Sequence, residues 1–222
     1  MRLNELNDRK EGKIMKLQLA LDRMTREECL HILDETKDSI EIIEVGTGVI
    51  KEYGMTIVRE LRNLYPEKQL LADMKTCDAG KHETLQALDA GADITTVMAF
   101  SSDLTIVDTL NVARETGKRV MIDLLEVHSR KRITELKNLG VEVVSLHVGK
   151  DKQVEGDFNT DLFSLVKGTD LEVTVAGGIN LDTLSDIISE NPDTVIVGSA
   201  ITKAKNPGEV AAKMKDIMRR GE

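Results

Sequence analysis

Eight short apolar runs recur along this 222-residue chain, and between them lie segments in which apolar residues return every three or four positions. The runs are KLQLALD (16–22), IEIIEVG (40–46), QLLADMK (69–75), DITTVMA (93–99), RVMIDLL (119–125), VEVVSLHV (141–148), LEVTVAGG (171–178) and TVIVGSA (194–200). Strands that alternate with helices predict a single parallel sheet. Eight such units, spaced roughly 25 residues apart, match the size of a compact (β/α)8 barrel.

A doubly wound open sheet is the alternative for this alternation of strands and helices. It usually carries a G-x-G-x-x-G turn after the first strand, and ALDRMTREE (20–28) has no glycine. No Pro/Gly/Ser-rich linker divides the chain. We therefore predict one catalytic barrel over residues 15–222, preceded by a polar N-terminal extension, residues 1–14, which lacks a sustained period.

The composition excludes several classes of protein. The formal charge is −9, from 39 acids against 30 bases, which argues against nonspecific binding to nucleic acid. With two Tyr, three Phe and no Trp, base-stacking surfaces are not expected. No apolar run approaches the ~18 residues of a membrane span, and no signal-peptide pattern opens the chain. Two distant cysteines fit neither a disulfide framework nor a thiolate metal site, so we expect a cytoplasmic protein.

Charged groups or glycines stand at the end of nearly every predicted strand. They are Asp22, Glu44, Asp73 and Lys75 (with Asp78 just beyond), Asp123, His147, Gly177-Gly178 and Gly198-Ser199. In a (β/α)8 barrel, catalytic residues occupy the C-terminal ends of the strands. Charges are costly in a core unless they are paired or used, so this pattern predicts an active site at that end of the barrel.

Alternate residues of a strand share a face, so Asp73 and Lys75 are expected to point the same way. The same parity places Ser145 with His147. Taken singly, Asp73 and Lys75 could form a structural ion pair, and His147 could be a hydrogen-bonded core histidine. Their convergence with other charged groups on one rim favours a functional site.

The acidic residues at the ends of strands 2 and 3 favour a divalent metal. Glu44 and Asp73 could supply two oxygens to Mg²⁺, which usually keeps several waters. Zinc is less favoured, because neither a cysteine nor a second histidine joins the cluster. A metal beside Lys75 would stabilise an oxyanion such as an enediolate.

The glycines after strands 7 and 8 predict a phosphate subsite. Gly177, Gly178 and Gly198, with Ser199, lie where (β/α)8 barrels bind phosphate through backbone N–H groups. Tight turns would also explain these glycines, but their pairing on strands 7 and 8 favours phosphate. The expected ligand is a small phosphorylated molecule.

The D-x-K-x-x-D motif of ADMKTCDAG (72–80), together with LQLALD (17–22) and EIIEVGT (41–47), resembles the orotidine 5′-phosphate decarboxylase superfamily. The resemblance covers residues 16–220 and includes ALDAGAD, VAGGIN and IVGSAIT. It is to the branch that holds 3-hexulose-6-phosphate synthase and 3-keto-L-gulonate-6-phosphate decarboxylase. Four residues agree with the sequence pattern of the synthase: Asp123, Gly149, Asp151 and Gln153. Val148 departs from its pattern, and Lys150 stands where the decarboxylase has arginine, which lysine only partly imitates.

The resemblance implies a Mg²⁺-dependent aldolase, a lyase that condenses D-ribulose 5-phosphate with formaldehyde to D-arabino-3-hexulose 6-phosphate. It implies these roles: Glu44 and Asp73 as metal ligands, Lys75 on the enediolate oxygens, Asp22 on substrate hydroxyls or orienting Lys75, and His147 as the base at C1. It also implies a homodimer in which Asp78 reaches the partner's site. Asp123 is counted among the catalytic residues. The alternatives are the decarboxylase and a noncatalytic sugar-phosphate-binding barrel.

Overall fold

Eight parallel strands form a closed barrel in the computed structural model, which describes residues 14–155 and 158–221. The strands are β1 (Lys16–Leu21), β2 (Ile42–Val45), β3 (Gln69–Thr76), β4 (Ile94–Met98), β5 (Arg119–Asp123), β6 (Val143–His147), β7 (Glu172–Ala176) and β8 (Thr194–Val197). Each strand pairs with its neighbours in chain order, and β8 closes the ring on β1. The predicted (β/α)8 barrel is confirmed.

Helices cover the outside of the barrel. They are α1 (Arg26–Thr36), α2 (Thr47–Tyr53), α3 (Met55–Leu64), α4 (Gly80–Asp89), α5 (Asp103–Thr116), α6 (Arg130–Asn138), α7 (Leu184–Ser189), α8 (Ser199–Thr202) and α9 (Pro207–Arg220). Several begin with local signals that are visible in the sequence. Thr25 and Glu28 form a capping box before α1, Ser102 caps α5, and Pro207 opens α9.

The prediction that a helix follows every strand was wrong in one place. In the described residues between β6 and β7, the chain forms only 3₁₀ segments, Lys150–Glu155 and Thr160–Leu165. Glycine, asparagine and aspartate recur in this stretch, and they favour turns over α-helix. Helix α2 was not predicted, because TGVIKEY (47–53) is too short to show a helical period.

The barrel holds two separate apolar clusters. The larger one fills the space between the strands and the helices. The smaller one lies inside the barrel and is formed by Ile42, Leu71, Ile94, Met121, Val143 and Ile196, with Ala20 and Ala176 against it. At the N-terminal side of this layer Arg119 forms a two-pronged ion pair with Glu172. The interior is therefore packed, and most of its charged side chains lie toward the strand ends.

Strand β3 departs from regular pairing with β4 near its C-terminal end. The register shifts between Ala72 and Thr76. Within this stretch Lys75 has a φ of 48°, in the left-handed region that residues other than glycine seldom adopt. The predicted active-site strand therefore contains a bulge.

Apart from Ile14, the predicted N-terminal extension lies outside the described residues, so its boundary stays a prediction. Within residues 14–155 and 158–221, no helix is long and apolar enough to cross a membrane.

Candidate active site

Polar side chains form a layer inside the barrel, directly above the interior apolar cluster. This layer contains Glu44, Asp73, Lys75, Asp123 and His147, and it lies at the C-terminal ends of β2, β3, β5 and β6. Strands β2, β3 and β5 each supply an acid two positions beyond a residue of the interior apolar cluster, for example Asp73 after Leu71. The structure thus brings together five of the predicted site residues.

Asp123 is the centre of this layer. Its carboxylate accepts a hydrogen bond from Lys75 Nζ at 2.5 Å and lies 3.0 Å from His147 Nδ1. The backbone N–H of Leu125 donates to it at 2.9 Å. Burial alone would raise the pKa of this carboxyl, but His147 and Lys75 outweigh burial and lower it to about 2. Asp123 is therefore a fixed negative charge between an ammonium group and an imidazole.

Lys75 lies between two carboxylates. Its Nζ is 3.3 Å from Asp73 Oδ2 in addition to its contact with Asp123. Burial lowers the pKa of this lysine, but the charges of Asp73 and Asp123 outweigh burial and raise it above its ordinary value. Lys75 is held as a cation, which suits the stabilisation of negative charge and not proton abstraction.

Glu44 is the most strongly perturbed acid of the layer. Its side chain is only 9% exposed, and Gln18 Nε2 donates to it at 2.5 Å. Burial, followed by repulsion from Asp73, raises its pKa to about 8. Gln18 itself is fully buried, and its Oε1 has no hydrogen-bond partner among the described residues. The sequence analysis missed Gln18, although strand parity puts it on the inward face.

Two threonines orient Asp73, and the sequence analysis missed both. Thr96 Oγ1 donates to Asp73 Oδ1 at 2.7 Å, and Thr47 Oγ1 lies 2.9 Å from Asp73 Oδ2. Thr96 is an inward-facing polar residue on a mostly apolar strand, and that position is the signal that could have found it. Thr47 lies in a loop–helix junction where strand parity gives no guidance.

The arrangement of Glu44 and Asp73 fits a hard divalent cation. Burial, and after it repulsion from the neighbouring carboxylate of Asp73, raises the pKa of Glu44, and a bound cation would offset both effects. Their oxygen donors suit Mg²⁺, which takes one or two carboxylates and fills its other positions with water and substrate. No group of three or more His, Cys, Asp or Glu side chains suited to a metal occurs in the described parts of the chain. Any metal here would thus rely on two protein carboxylates.

Two of the predicted charged site residues lie outside this layer. Asp22 follows β1, and its carboxylate accepts from the Gly48 N–H at 2.9 Å and pairs with Arg23. These contacts replace the predicted orientation of Lys75 by Asp22. Asp78 is exposed on the loop after β3, and its side chain does not take part in the contacts of the buried layer.

The predicted phosphate residues lie on the rim beside β7 and β8, which pair with each other. Gly177 has a φ of 110°, and a Cβ there would lie 2.3 Å from the Val148 carbonyl oxygen, so the turn requires glycine. Gly178 is also left-handed, with a φ of 70°. Gly198 directly precedes α8. Ser199 was predicted to end the strand, but it is the first residue of that helix.

Comparisons with known proteins agree with this architecture. A sequence model of the orotidine 5′-phosphate decarboxylase / HUMPS family matches residues 15–214. The chain is 37% identical over 210 residues to the 3-hexulose-6-phosphate synthase of Bacillus subtilis, an alignment that covers 93% of this chain and 100% of the relative.

Solved structures show the same likeness. A 3-hexulose-6-phosphate synthase from Salmonella typhimurium matches with a TM-score of 0.91 and 36% identity, covering 94% of this chain and 100% of the other. A 3-keto-L-gulonate-6-phosphate decarboxylase from Vibrio cholerae matches with a TM-score of 0.82 and 26% identity, covering 94% and 99%. With a family match over nearly the whole barrel and relatives above 30% identity along it, this chain belongs to the orotidine 5′-phosphate decarboxylase / HUMPS family.

Proposed function

We propose that this protein is a 3-hexulose-6-phosphate synthase, a lyase that joins D-ribulose 5-phosphate to formaldehyde and forms D-arabino-3-hexulose 6-phosphate. The observation that carries the proposal is the Lys75–Asp123–His147 array, in which one buried carboxylate holds a cation and an imidazole at the end of the barrel. The synthases of Bacillus subtilis and Salmonella typhimurium add support, since they match at 37% and 36% identity over their whole length.

His147 is the proposed base at C1 of the sugar phosphate. Asp123 lies 3.0 Å from Nδ1, so the Nδ1–H tautomer is favoured and Nε2 is the nitrogen that can accept a proton. Because Asp123 stays ionised, it also stabilises the imidazolium that forms. Proton removal at C1 produces the enediolate, whose carbon then attacks formaldehyde.

Lys75 is the proposed partner of the negative charge that develops on the substrate oxygens. Its ammonium is already held in place by two carboxylates, so little reorganisation accompanies the reaction. After carbon–carbon bond formation, the alkoxide derived from formaldehyde takes a proton, and the imidazolium of His147 is the proposed donor.

Glu44 and Asp73 are the proposed ligands of Mg²⁺. Their oxygen donors and their mutual repulsion support the assignment. When bound, the ion would supply Lewis-acid stabilisation of negative charge on substrate oxygens. Thr47 and Thr96 hold Asp73 in place, and Gln18 holds Glu44.

The rim glycines are the proposed phosphate subsite. Gly177 and Gly178 follow β7, Gly198 follows β8, and these two strands pair, which supports a phosphate site formed by backbone N–H groups of the two loops. A phosphate there would leave the carbon chain free to reach the polar layer. Asp22 remains the proposed contact of substrate hydroxyls.

A homodimer with shared sites completes the proposal. Asp78 is exposed and does not join the buried layer of its own subunit, which supports a role at a neighbouring subunit's site.

Both cysteines are free, Cys29 buried and Cys77 exposed, and this fits the proposed cytoplasmic setting.

Decarboxylation of 3-keto-L-gulonate 6-phosphate is the second candidate, because it would use the same enediolate. The Vibrio cholerae decarboxylase shares the fold. Lys150 occupies the position at which the decarboxylase sequence pattern has arginine. In this chain Lys150 is exposed and donates to Gln153 Oε1 at 3.1 Å.

A two-substrate assay tests the proposal. The purified enzyme is supplied with Mg²⁺ and either D-ribulose 5-phosphate plus formaldehyde or 3-keto-L-gulonate 6-phosphate, with His147→Asn as the inactive control. We expect kcat/KM for the aldol reaction to exceed that for decarboxylation by more than about tenfold. The reverse order would assign the decarboxylase, and turnover of neither would favour a binding protein.

A further inference from the structure

Thr96 lies opposite the bulge that carries Asp73 and Lys75. Pairing between β3 and β4 breaks after Ala72, which is opposite Thr95, and it resumes at Thr76, which is opposite Val97. Residues 73–75 of β3 therefore face Thr96 alone on β4. A bulge of this kind takes backbone groups out of the ladder, and those groups need other partners when they are buried.

The Thr96 hydroxyl supplies a partner to the backbone and to a side chain at once. Its oxygen accepts from the Lys75 N–H at 2.9 Å, and the hydroxyl lies 2.7 Å from Asp73 Oδ1. A backbone N–H can only donate, so the threonine oxygen is the acceptor there and its single proton is left for the carboxylate. Thr96 is only 4% exposed, so water does not readily replace either bond.

The backbone of Lys75 needs this support. Its φ of 48° is a conformation that residues other than glycine keep only where their surroundings hold them in it. From this backbone the ammonium group reaches Asp123 at 2.5 Å and Asp73 at 3.3 Å. The backbone conformation of Lys75, and with it the direction of its side chain, thus depends on the hydrogen bond between the Lys75 N–H and Thr96.

We propose that Thr96 is a positioning residue of the active site: its buried hydroxyl, placed opposite the β3 bulge, holds Lys75 in its left-handed conformation and Asp73 in its orientation. The inference deepens the proposed function and rests on it for the roles of Lys75 and Asp73. Thr96 itself touches no reacting atom, so its effect passes through these two neighbours.

Three variants test the proposal. Thr96→Val removes the hydroxyl and keeps nearly the same shape, while Thr96→Ser keeps the hydroxyl and removes a methyl group. Thr95→Val is the matched control, because Thr95 is the preceding residue, is fully buried, and donates its hydroxyl proton to the Ala72 carbonyl on the opposite face of the same strand pair. Should Thr96→Val fail to fold, Thr96→Ala takes its place with the same expectations.

We expect Thr96→Val to lower kcat of the aldol reaction by about 100-fold, the scale of a misplaced catalytic group, with KM for ribulose 5-phosphate within about threefold of wild type. Thr96→Ser should recover kcat to within about tenfold of wild type, and Thr95→Val should stay within about threefold. A merely structural role would make Thr95→Val and Thr96→Val lose activity alike.

Crystal structures of Thr96→Val and Thr95→Val provide a readout that does not need activity. In Thr96→Val we expect the φ of Lys75 to leave the left-handed region and its Nζ to move away from Asp123. An unchanged Lys75 in that crystal, or wild-type kcat in Thr96→Val, overturns the proposal. If the wild-type enzyme has no aldol activity, the proposed function fails, and the conformation of Lys75 alone then decides the inference.

Discussion

Asp123 has contacts with both of the side chains that we propose for the chemistry. It lies 3.0 Å from His147 Nδ1 and 2.5 Å from Lys75 Nζ, and it is only 3% exposed. A buried carboxylate that serves two partners is stabilised by them and in turn orients them. Changes at single residues of this array should therefore separate proton transfer from charge stabilisation.

Replacing His147 tests proton transfer directly. His147→Asn keeps some hydrogen bonding but has no basic nitrogen, so we expect kcat to fall by about 10²–10⁴-fold, the usual contribution of a general base. KM for ribulose 5-phosphate should change little, because the proposed phosphate subsite lies at Gly177, Gly178 and Gly198. Exchange of the C1 proton with D₂O in the absence of formaldehyde, followed by NMR, should fall in step with kcat. Near-normal exchange would instead make Asp78 of the partner subunit the leading base.

The low pKa of Asp123 predicts how stability changes in acid. Its pKa is about 2 in the folded protein, against an ordinary value of 3.8 for an aspartate. The folded state thus favours the ionised form, and the stabilisation is complete above about pH 4 and is lost as the pH falls through about 2. We expect about 2 kcal/mol of unfolding free energy from this group at neutral pH.

Urea unfolding of Asp123→Asn and wild type between pH 6 and pH 2.5 measures this contribution. The difference in unfolding free energy between them should be constant above about pH 4 and should shrink below it. Asp161→Asn, at an exposed carboxylate, is the control and should show a small, constant difference. A difference between Asp123→Asn and wild type that stays constant down to pH 2.5 would contradict the low pKa.

At the scale of whole elements, neighbouring strand ends bring together groups that are distant in the sequence. The ends of β2 and β3 supply Glu44 and Asp73, and β2 pairs with β3 in a regular parallel register. The ends of β7 and β8 supply the rim glycines. Changes at the first pair of strand ends should therefore affect metal binding, and changes at the second pair should affect binding of the substrate phosphate.

The β2–β3 pair predicts metal dependence. Removal of metal with EDTA, verified by elemental analysis, should abolish aldol activity, and Mg²⁺ should restore it, because Glu44 and Asp73 are hard oxygen donors. Glu44→Gln should weaken Mg²⁺ binding by isothermal titration calorimetry, whereas Glu126→Gln, at an exposed acid of the β5–α6 loop, should not. Full turnover by verified metal-free enzyme would refute the prediction.

The β7 turn predicts that two adjacent glycines differ in their tolerance of a side chain. In Gly177→Ala the new Cβ would lie 2.3 Å from the Val148 carbonyl oxygen, whereas in Gly178→Ala the nearest atom is Gln153 Cγ at 3.7 Å. Both positions have a positive φ, so an alanine at either one loses stability through the left-handed backbone conformation. We expect Gly177→Ala to lose about 1–3 kcal/mol more unfolding free energy than Gly178→Ala and to raise KM for the sugar phosphate more. Equal losses in urea unfolding would show that the turn can relax around Val148.

For the molecule as a whole, we propose that the segments after β3 and β4 form the contact with a second subunit. Phe100 is 59% exposed and Leu104 is 70% exposed, and both lie in the segment that follows β4. Asp78 is exposed on the loop after β3, the neighbouring strand. Large exposed apolar side chains beside the active-site end favour an interface at that place.

A mixing experiment tests whether subunits share a site. Asp78→Asn and Lys75→Ala should each be inactive alone, since each lacks one group in every site. If Asp78 serves the partner's site, a mixed dimer has one intact site, and random exchange of subunits should return about a quarter of wild-type activity. Sedimentation velocity tests whether the protein is a dimer. Mixtures that remain inactive after verified exchange would place Asp78 in its own subunit's site or outside the chemistry.

Much of this protein follows from local sequence. The alternation of apolar runs and amphipathic segments predicts the barrel because burial on both sides requires strands that are almost wholly apolar. Polar residues at strand ends differ from that apolar background. The sequence alone therefore identifies the candidate site residues Glu44, Asp73, Lys75, Asp123 and His147. Parity placed Asp73 and Lys75 on one face, and their side chains do meet, 3.3 Å apart.

Contacts between residues far apart in the chain are decided only by the tertiary structure. No local period in the sequence predicts the contacts between side chains of different strands. Examples are the bulge opposite Thr96, the hydrogen bond of Gln18 to Glu44, and the pairing of Asp123 with His147. The pKa values of Asp123 and Glu44 differ because their partners in space differ, although both are carboxyls at the ends of apolar strands. The local sequence is enough to predict which groups reach the active-site end of the barrel, because strand periodicity is a local property. Only the fold decided which of them touch, because closing the barrel sets the distances between strand ends.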